Sequence, residues 1–152
     1  MHSTELRISE AELTAYHEAG HAIAYLIRGI EFTTVTIAES GGNVGDGHIV
    51  INPPRLIPIQ TNRVIAVAGP LAEAEYLCRG HGYDALEAWH RVITTGCSRD
   101  DYAQSQGIES IAEARKMVNE QWGRIVNTAI GLQHLGSLSC AQVCELANIT
   151  LR

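Results

Sequence analysis

The sequence predicts an α+β domain that is predominantly α-helical, with one small β-hairpin or sheet beside its first helix. Three observations lead there. Several segments carry apolar residues at helical spacing, with Ser or Asp before them and Gly after them. A single stretch, near residues 32–51, instead combines β-branched residues with a glycine-rich turn. Finally, 152 residues of which 45 % are hydrophobic provide enough apolar material for a core in one domain spanning 1–152.

Residues 1–8 are polar and are expected to fray. Ser9 then reads as an N-cap, with Glu12 completing a capping box. Leu13, Tyr16, Ala19, Ile23 and Ile27 form an apolar stripe, and Arg28-Gly29 reads as a cationic last turn followed by a terminating glycine, so a helix is expected over 10–28. Ala19, Gly20, Ala22 and Ala24 leave room on it for close approach by another element or a substrate. Phe32–Ile37 and His48–Ile51 read as paired strands around a turn containing Gly45 and Gly47.

From Gln60 to Arg79 the helical pattern returns, with Gly69-Pro70 expected to kink or split it. Asp84 with Glu87 caps a helix that turns Leu86, Trp89, Val92 and Ile93 inward. Thr94–Cys97 reads as a break, after which Ser98 caps a short helix starting at Arg99. Ser110 with Glu113 is expected to cap the longest helix, over 111–135, which Gly136 ends before Ser139 caps a final turn or two.

The net charge of −6 and a pI near 5.6 exclude the basic footprint of a nucleic-acid binder or of a protein docking on anionic membrane. No apolar run reaches 18 residues and no basic start leads into an apolar segment, so neither a membrane span nor a signal peptide is expected. Cys78, Cys97, Cys140 and Cys144 lack CxxC spacing and are read as reduced thiols of a cytoplasmic protein; Cys140 and Cys144 are taken as two buried thiols rather than a second metal site.

The first helix carries the chemistry. His17-Glu18-Ala19-Gly20-His21 is a His-Glu-x-x-His pattern, which on a helix puts both imidazoles one turn apart on one face, able to grip one metal ion. His81, His90 and His134 have no such spacing and are read as structural or exposed, and His2 falls in the lead-in.

The string YHEAGHAI, Tyr16–Ile23, resembles the zinc-peptidase domain of the FtsH-type ATP-dependent metalloproteases. Three more stretches follow in the family's order. Val35-Thr36-Ile37 with Gly47-His48-Ile49-Val50 looks like its VTI…LGYT hairpin, Ala68–Glu73 (AGPLAE) looks like its GGRAAE helix, and Thr94–Asp101 (TTGCSRDD) is similar to its TTGAxND segment. The likeness spans about residues 12–125. It stops short of an ATPase module, carries an extra insert over His81–Ile93, and gives no match for the last helix, so the chain looks like a stand-alone relative of the peptidase domain.

The resemblance implies a zincin-like metallopeptidase fold with Zn2+ held by His17, His21 and an Asp at the start of a later helix. Asp101 is preferred for that third ligand and Asp100 is the alternative. Glu18 is then the general base rather than a ligand, working on water whose pKa the metal lowers from 15.7 toward about 7. Glu73 is a candidate to brace a zinc-bound histidine, with an ordinary surface role as its rival. The His48–Ile51 strand is a candidate edge for an extended peptide, making Gly47, His48, Ile49 and Val50 the substrate-binding residues; His48 alone also reads as a surface histidine. The expected activity is hydrolysis of peptide bonds in extended or unfolded polypeptide, with a homo-oligomer or a separate ATPase partner as further expectations. The rival expectation is a catalytically silent relative that binds peptides or regulates.

Overall fold

The computed structural model describes residues 8–37 and 47–151, apart from the side chain of Cys97. The lead-in through residue 7 and most of the glycine-rich turn, Gly45 included, lie outside the described residues. The order is α1 (Glu10–Ile27), β1 (Thr34–Thr36), β2 (His48–Val50), α2 (Ile59–His81), α3 (Ala85–Ile93), α4 (Gly96–Ser105), α5 (Ile108–Glu120), α6 (Trp122–Leu135), β3 (Ser137–Ser139) and α7 (Cys140–Ala147). This is an α+β arrangement, mostly helical, with a three-stranded antiparallel sheet in the order β2-β1-β3. Among the described residues no helix is long and apolar enough to cross a membrane.

The first helix is central, packing against both α2 and α6. The Ser9 hydroxyl accepts from the Glu12 amide, as a cap should, but the Glu12 carboxylate does not complete the capping box: Tyr76 and His81 engage it instead. Nor is α1 buried along one stripe. Every residue from Thr14 to Gly20 is buried, whereas Ile27, expected inside, is 39 % exposed and Leu26 takes its place in the core. A helix covered on several sides needs small residues, and Gly20 shows why: a Cβ there would lie 2.6 Å from the Ala68 carbonyl oxygen and 2.7 Å from the Ala72 Cβ.

In the sheet, Val35 pairs with Ile49 on one side and Leu138 on the other, so these three apolar residues share one row while their neighbours alternate to the opposite face. The third strand was not expected. Ser137–Ser139 is too short to show alternation, and only pairing with β1 makes it a strand.

The second helix runs unbroken through Pro70 rather than splitting at Gly69-Pro70, and it ends at Gly82 in the left-handed region, φ 70°. In α3 the Asp84–Glu87 capping box forms, but Leu86 is 81 % exposed and Ala88 with Val92 makes the inward contact. The expected 111–135 helix is two helices, α5 and α6, separated at Gln121. Gly107 precedes α5, and Ser110, instead of capping, is buried inside it and receives a hydrogen bond from Gln60 Nε2. Likewise α4 begins at Gly96 behind Thr95, which places Ser98 within the helix instead of at its cap.

Candidate metal centre

The midpoint of α1 presents His17, Glu18 and His21 to a cleft of about 310 Å³, closed on its other sides by α2, α4 and the β2 end of the sheet. Each imidazole is fixed through Nδ1. His21 Nδ1 lies 2.8 Å from the Ile65 carbonyl oxygen, to which it must donate, so Nε2 is the nitrogen turned to the cleft. His17 Nδ1 lies 2.7 Å from Glu73 Oε1 and 3.0 Å from Ser98 Oγ, and that hydroxyl itself donates to Glu73 Oε1 at 2.8 Å.

The free nitrogens converge. His17 Nε2 and His21 Nε2 are 2.9 Å apart, and Asp101 Oδ2 lies 2.8 Å from the first and 3.0 Å from the second. Three electron-pair donors this close repel one another unless a proton or a cation sits among them. Bonds of about 2.0–2.2 Å to a first-row divalent ion space tetrahedral donors about 3.3–3.6 Å apart, so a few tenths of an ångström of opening would admit one. His17, His21 and Asp101 therefore form a group that can hold a metal ion.

Electrostatics point the same way. Burial of His17 works against protonation, yet hydrogen bonds to Asp101 and Glu73 and the nearby Glu18 charge override it and raise its pKa well above the ordinary histidine value. Burial would raise the Asp101 pKa, but the two imidazoles hold it well below the usual carboxylate range. The cluster is thus built to keep positive charge at its centre.

The fold selects between the two acids. Because α4 starts at Gly96, Ser98 and Asp101 are three residues apart on one face and both reach His17, while Asp100 is exposed on another. Glu18 is buried, its Oε2 3.9 Å from His17 Nε2 and its Cγ packed against Gly47, where a Cβ would stand only 2.5 Å away. Gly47, His48 and Ile49 line the same cleft; Val50 is not among its lining residues. Among the described residues the edge strand β2 pairs with β1 alone.

Three features of the site escape sequence reasoning. Gly69 lets the backbone of α2 run directly beneath the imidazoles: a Cβ there would lie 2.5 Å from His21 Nε2 and 2.9 Å from His17 Nε2. Ser98, expected as a cap, instead lies within α4 and faces His17 Nδ1. Tyr25, one turn beyond His21, also lines the cleft, and its phenol pKa is raised by burial and by the Glu18 and Asp101 charges. Away from the site, His90 and His134 are exposed, and His81 meets Glu12 and Tyr76. Cys140 and Cys144 are free and half-buried instead of fully buried.

No protein-family model matches the chain, and no curated protein matches it. The likeness to FtsH-type peptidases accordingly rests on the motifs in the sequence itself.

Proposed function

We propose that this protein is a zinc-dependent metalloendopeptidase of the zincin type, related to the FtsH peptidase domain, that hydrolyses peptide bonds in extended or unfolded polypeptide. The observation that carries this reading is the convergence of His17 Nε2, His21 Nε2 and Asp101 Oδ2 within 3.0 Å of one another at a cleft that Glu18 also enters. Two neutral imidazoles and one carboxylate, each oriented by a further hydrogen bond or by helix packing, are the donor set of a catalytic zinc with room for water. When bound there, zinc supplies a Lewis acid and a water acidic enough to ionise near neutral pH.

The chain's own residues account for the rest. Glu18, beside His17 but outside the donor triangle, takes the proton as the water oxygen bonds to the carbonyl carbon. It returns that proton to the amide nitrogen as the C–N bond breaks. Gly47 lets the backbone entering β2 pass against the Glu18 methylenes, bringing the strand edge to the reacting groups. An extended peptide paired along His48–Val50 would be held through its backbone, which makes recognition tolerant of side chains. Only unfolded segments can present such an edge, and their delivery by a separate ATPase fits the same geometry. The free thiols of Cys140 and Cys144, one helical turn apart, suit a cytoplasmic setting.

The test pairs metal content with cleavage. Purified, untagged protein should carry about one zinc per chain by elemental mass spectrometry, lost in His21→Ala. It should cleave a fluorogenic unstructured peptide, and Glu18→Gln should keep the zinc while cleavage falls by about 10²–10⁴-fold. No zinc uptake would sink the reading. Zinc without cleavage in the unaltered chain would favour the silent, peptide-binding alternative.

A further inference from the structure

We propose that Tyr25 is a further catalytic residue, its phenol hydroxyl donating a hydrogen bond to the carbonyl oxygen of the scissile peptide as that oxygen gains negative charge. The proposal rests on the metallopeptidase reading and assigns a group that neither the His-Glu-x-x-His pattern nor the donor triangle includes.

The placement follows from helical phase. Tyr25 is four residues beyond His21 and seven beyond Glu18, so it falls on the face of α1 that presents both, and it lines the same cleft. Its ring is tilted against Phe32, with centroids 6.4 Å apart, which braces the side chain before substrate arrives. Among the described residues its hydroxyl has no hydrogen-bond partner, whereas the hydroxyls of Tyr76 and Tyr83 are engaged by Glu12 and Arg91. A half-buried phenol with an unused donor calls for an acceptor.

Elimination within the cleft supports the same residue. Glu18 and Asp101 are carboxylates and can only accept. His17 and His21 commit Nδ1 to Glu73 and to the Ile65 carbonyl, and their Nε2 atoms would hold the metal. His48, Asn62 and Gln104 stand exposed at the rim. Tyr25 is the one lining side chain, among the described residues, that is shielded from solvent and has a donor to spare. Burial and two neighbouring carboxylates keep that proton on the phenol at neutral pH, as a donor requires.

The chemistry balances without proton loss from Tyr25. Water adds to the carbonyl carbon, the carbonyl oxygen becomes anionic and receives the phenol hydrogen bond, and the C–N bond then breaks with Glu18 protonating the amine. The phenol O–H survives the cycle. A fixed donor aimed where charge develops typically contributes about 10²–10³-fold to kcat.

The experiment is Tyr25→Phe in the zinc-loaded full chain, with three readouts. Zinc content and melting temperature should match the unaltered protein, because the ring is kept. Against the unstructured peptide, kcat should fall about 10²–10³-fold with KM changed by less than about threefold. In calorimetry, a phosphinic peptide that mimics the tetrahedral carbon should bind more weakly by a similar factor, while the uncleaved peptide binds Glu18→Gln and the Glu18→Gln/Tyr25→Phe double variant equally. Unchanged kcat and phosphinate affinity in Tyr25→Phe would overturn the proposal. So would loss of zinc or melting temperature in step with activity, which would make Tyr25 structural. If the unaltered protein takes up no zinc and cleaves nothing, the metallopeptidase reading fails and the role of Tyr25 falls with it, a result distinct from a Tyr25→Phe variant that matches an active parent.

Discussion

His17 is the most constrained side chain of the site, held on one nitrogen by Glu73 and Ser98 and facing Asp101 and His21 with the other. Its partner Glu73 fixes which nitrogen faces the centre and makes the imidazole a stronger electron-pair donor. Glu73→Ala should therefore weaken zinc binding by about 10–100-fold, read by competition with a chromophoric chelator, while leaving the fold intact. An affinity equal to that of the unaltered chain would show that Glu73 is only a neighbour. At this scale His17, Glu18 and His21 were legible because helical spacing alone puts them together. Asp101 is preferred to Asp100 only through the likeness to the family's Asp segment, since adjacent residues on a helix point about 100° apart and the geometric choice depends on where α4 starts. Ser98 and Gly69 were illegible for a related reason. Their roles belong to contacts between α4, α2 and α1, which no local pattern records.

At the scale of elements, the site depends on how closely α1 and α2 approach. Gly20 sets that distance, with the Ala68 carbonyl and Ala72 methyl already where a Cβ would go. The obstruction is backbone, which cannot rotate away, so Gly20→Ala must push the helices apart. The expected cost is about 1–3 kcal/mol in urea unfolding, with zinc affinity lowered because His21 and the Ile65 carbonyl part with the helices. A stability gain from the better helix former would show that the two helices do not meet tightly at Gly20. Elements were legible wherever a cap or a long periodic run announced them, as at Ser9, Asp84 and Ser139. The break between α5 and α6 was not, because Val118, Trp122 and Ile125 continue one apolar pattern across it. Helical bonding resumes on both sides of Gln121, whose N–H bonds Met117 and whose carbonyl accepts from Ile125, so only its backbone angles mark the join. The β3 strand was illegible because three residues gain strand identity only from their partner.

Over the whole molecule, folding and protonation are linked through one cluster, and metal binding there would be linked to both. The His17 pKa is raised in the folded, metal-free chain, so the stability it contributes is fully present below about pH 6.5, the ordinary histidine value, and is lost as pH rises through the folded value. Asp101 behaves oppositely: its pKa is depressed, so its contribution is present above about pH 3.9 and is lost as pH falls. The metal-free chain should thus be most stable between roughly pH 4 and 6.5 and should weaken on the alkaline side. Zinc at this cluster would require the same imidazole to be neutral, so its binding would expel the proton that His17 holds, and its affinity would rise across the range where the metal-free chain weakens. Melting temperatures measured with saturating zinc and with chelator should therefore diverge as pH rises above about 6.5, because binding to the folded state stabilises more as affinity rises. A gap that stays constant or narrows over that range would mean that His17 does not exchange a proton for metal. In that case the convergence of His17, His21 and Asp101 would be a buried hydrogen-bond network that contributes stability without chemistry.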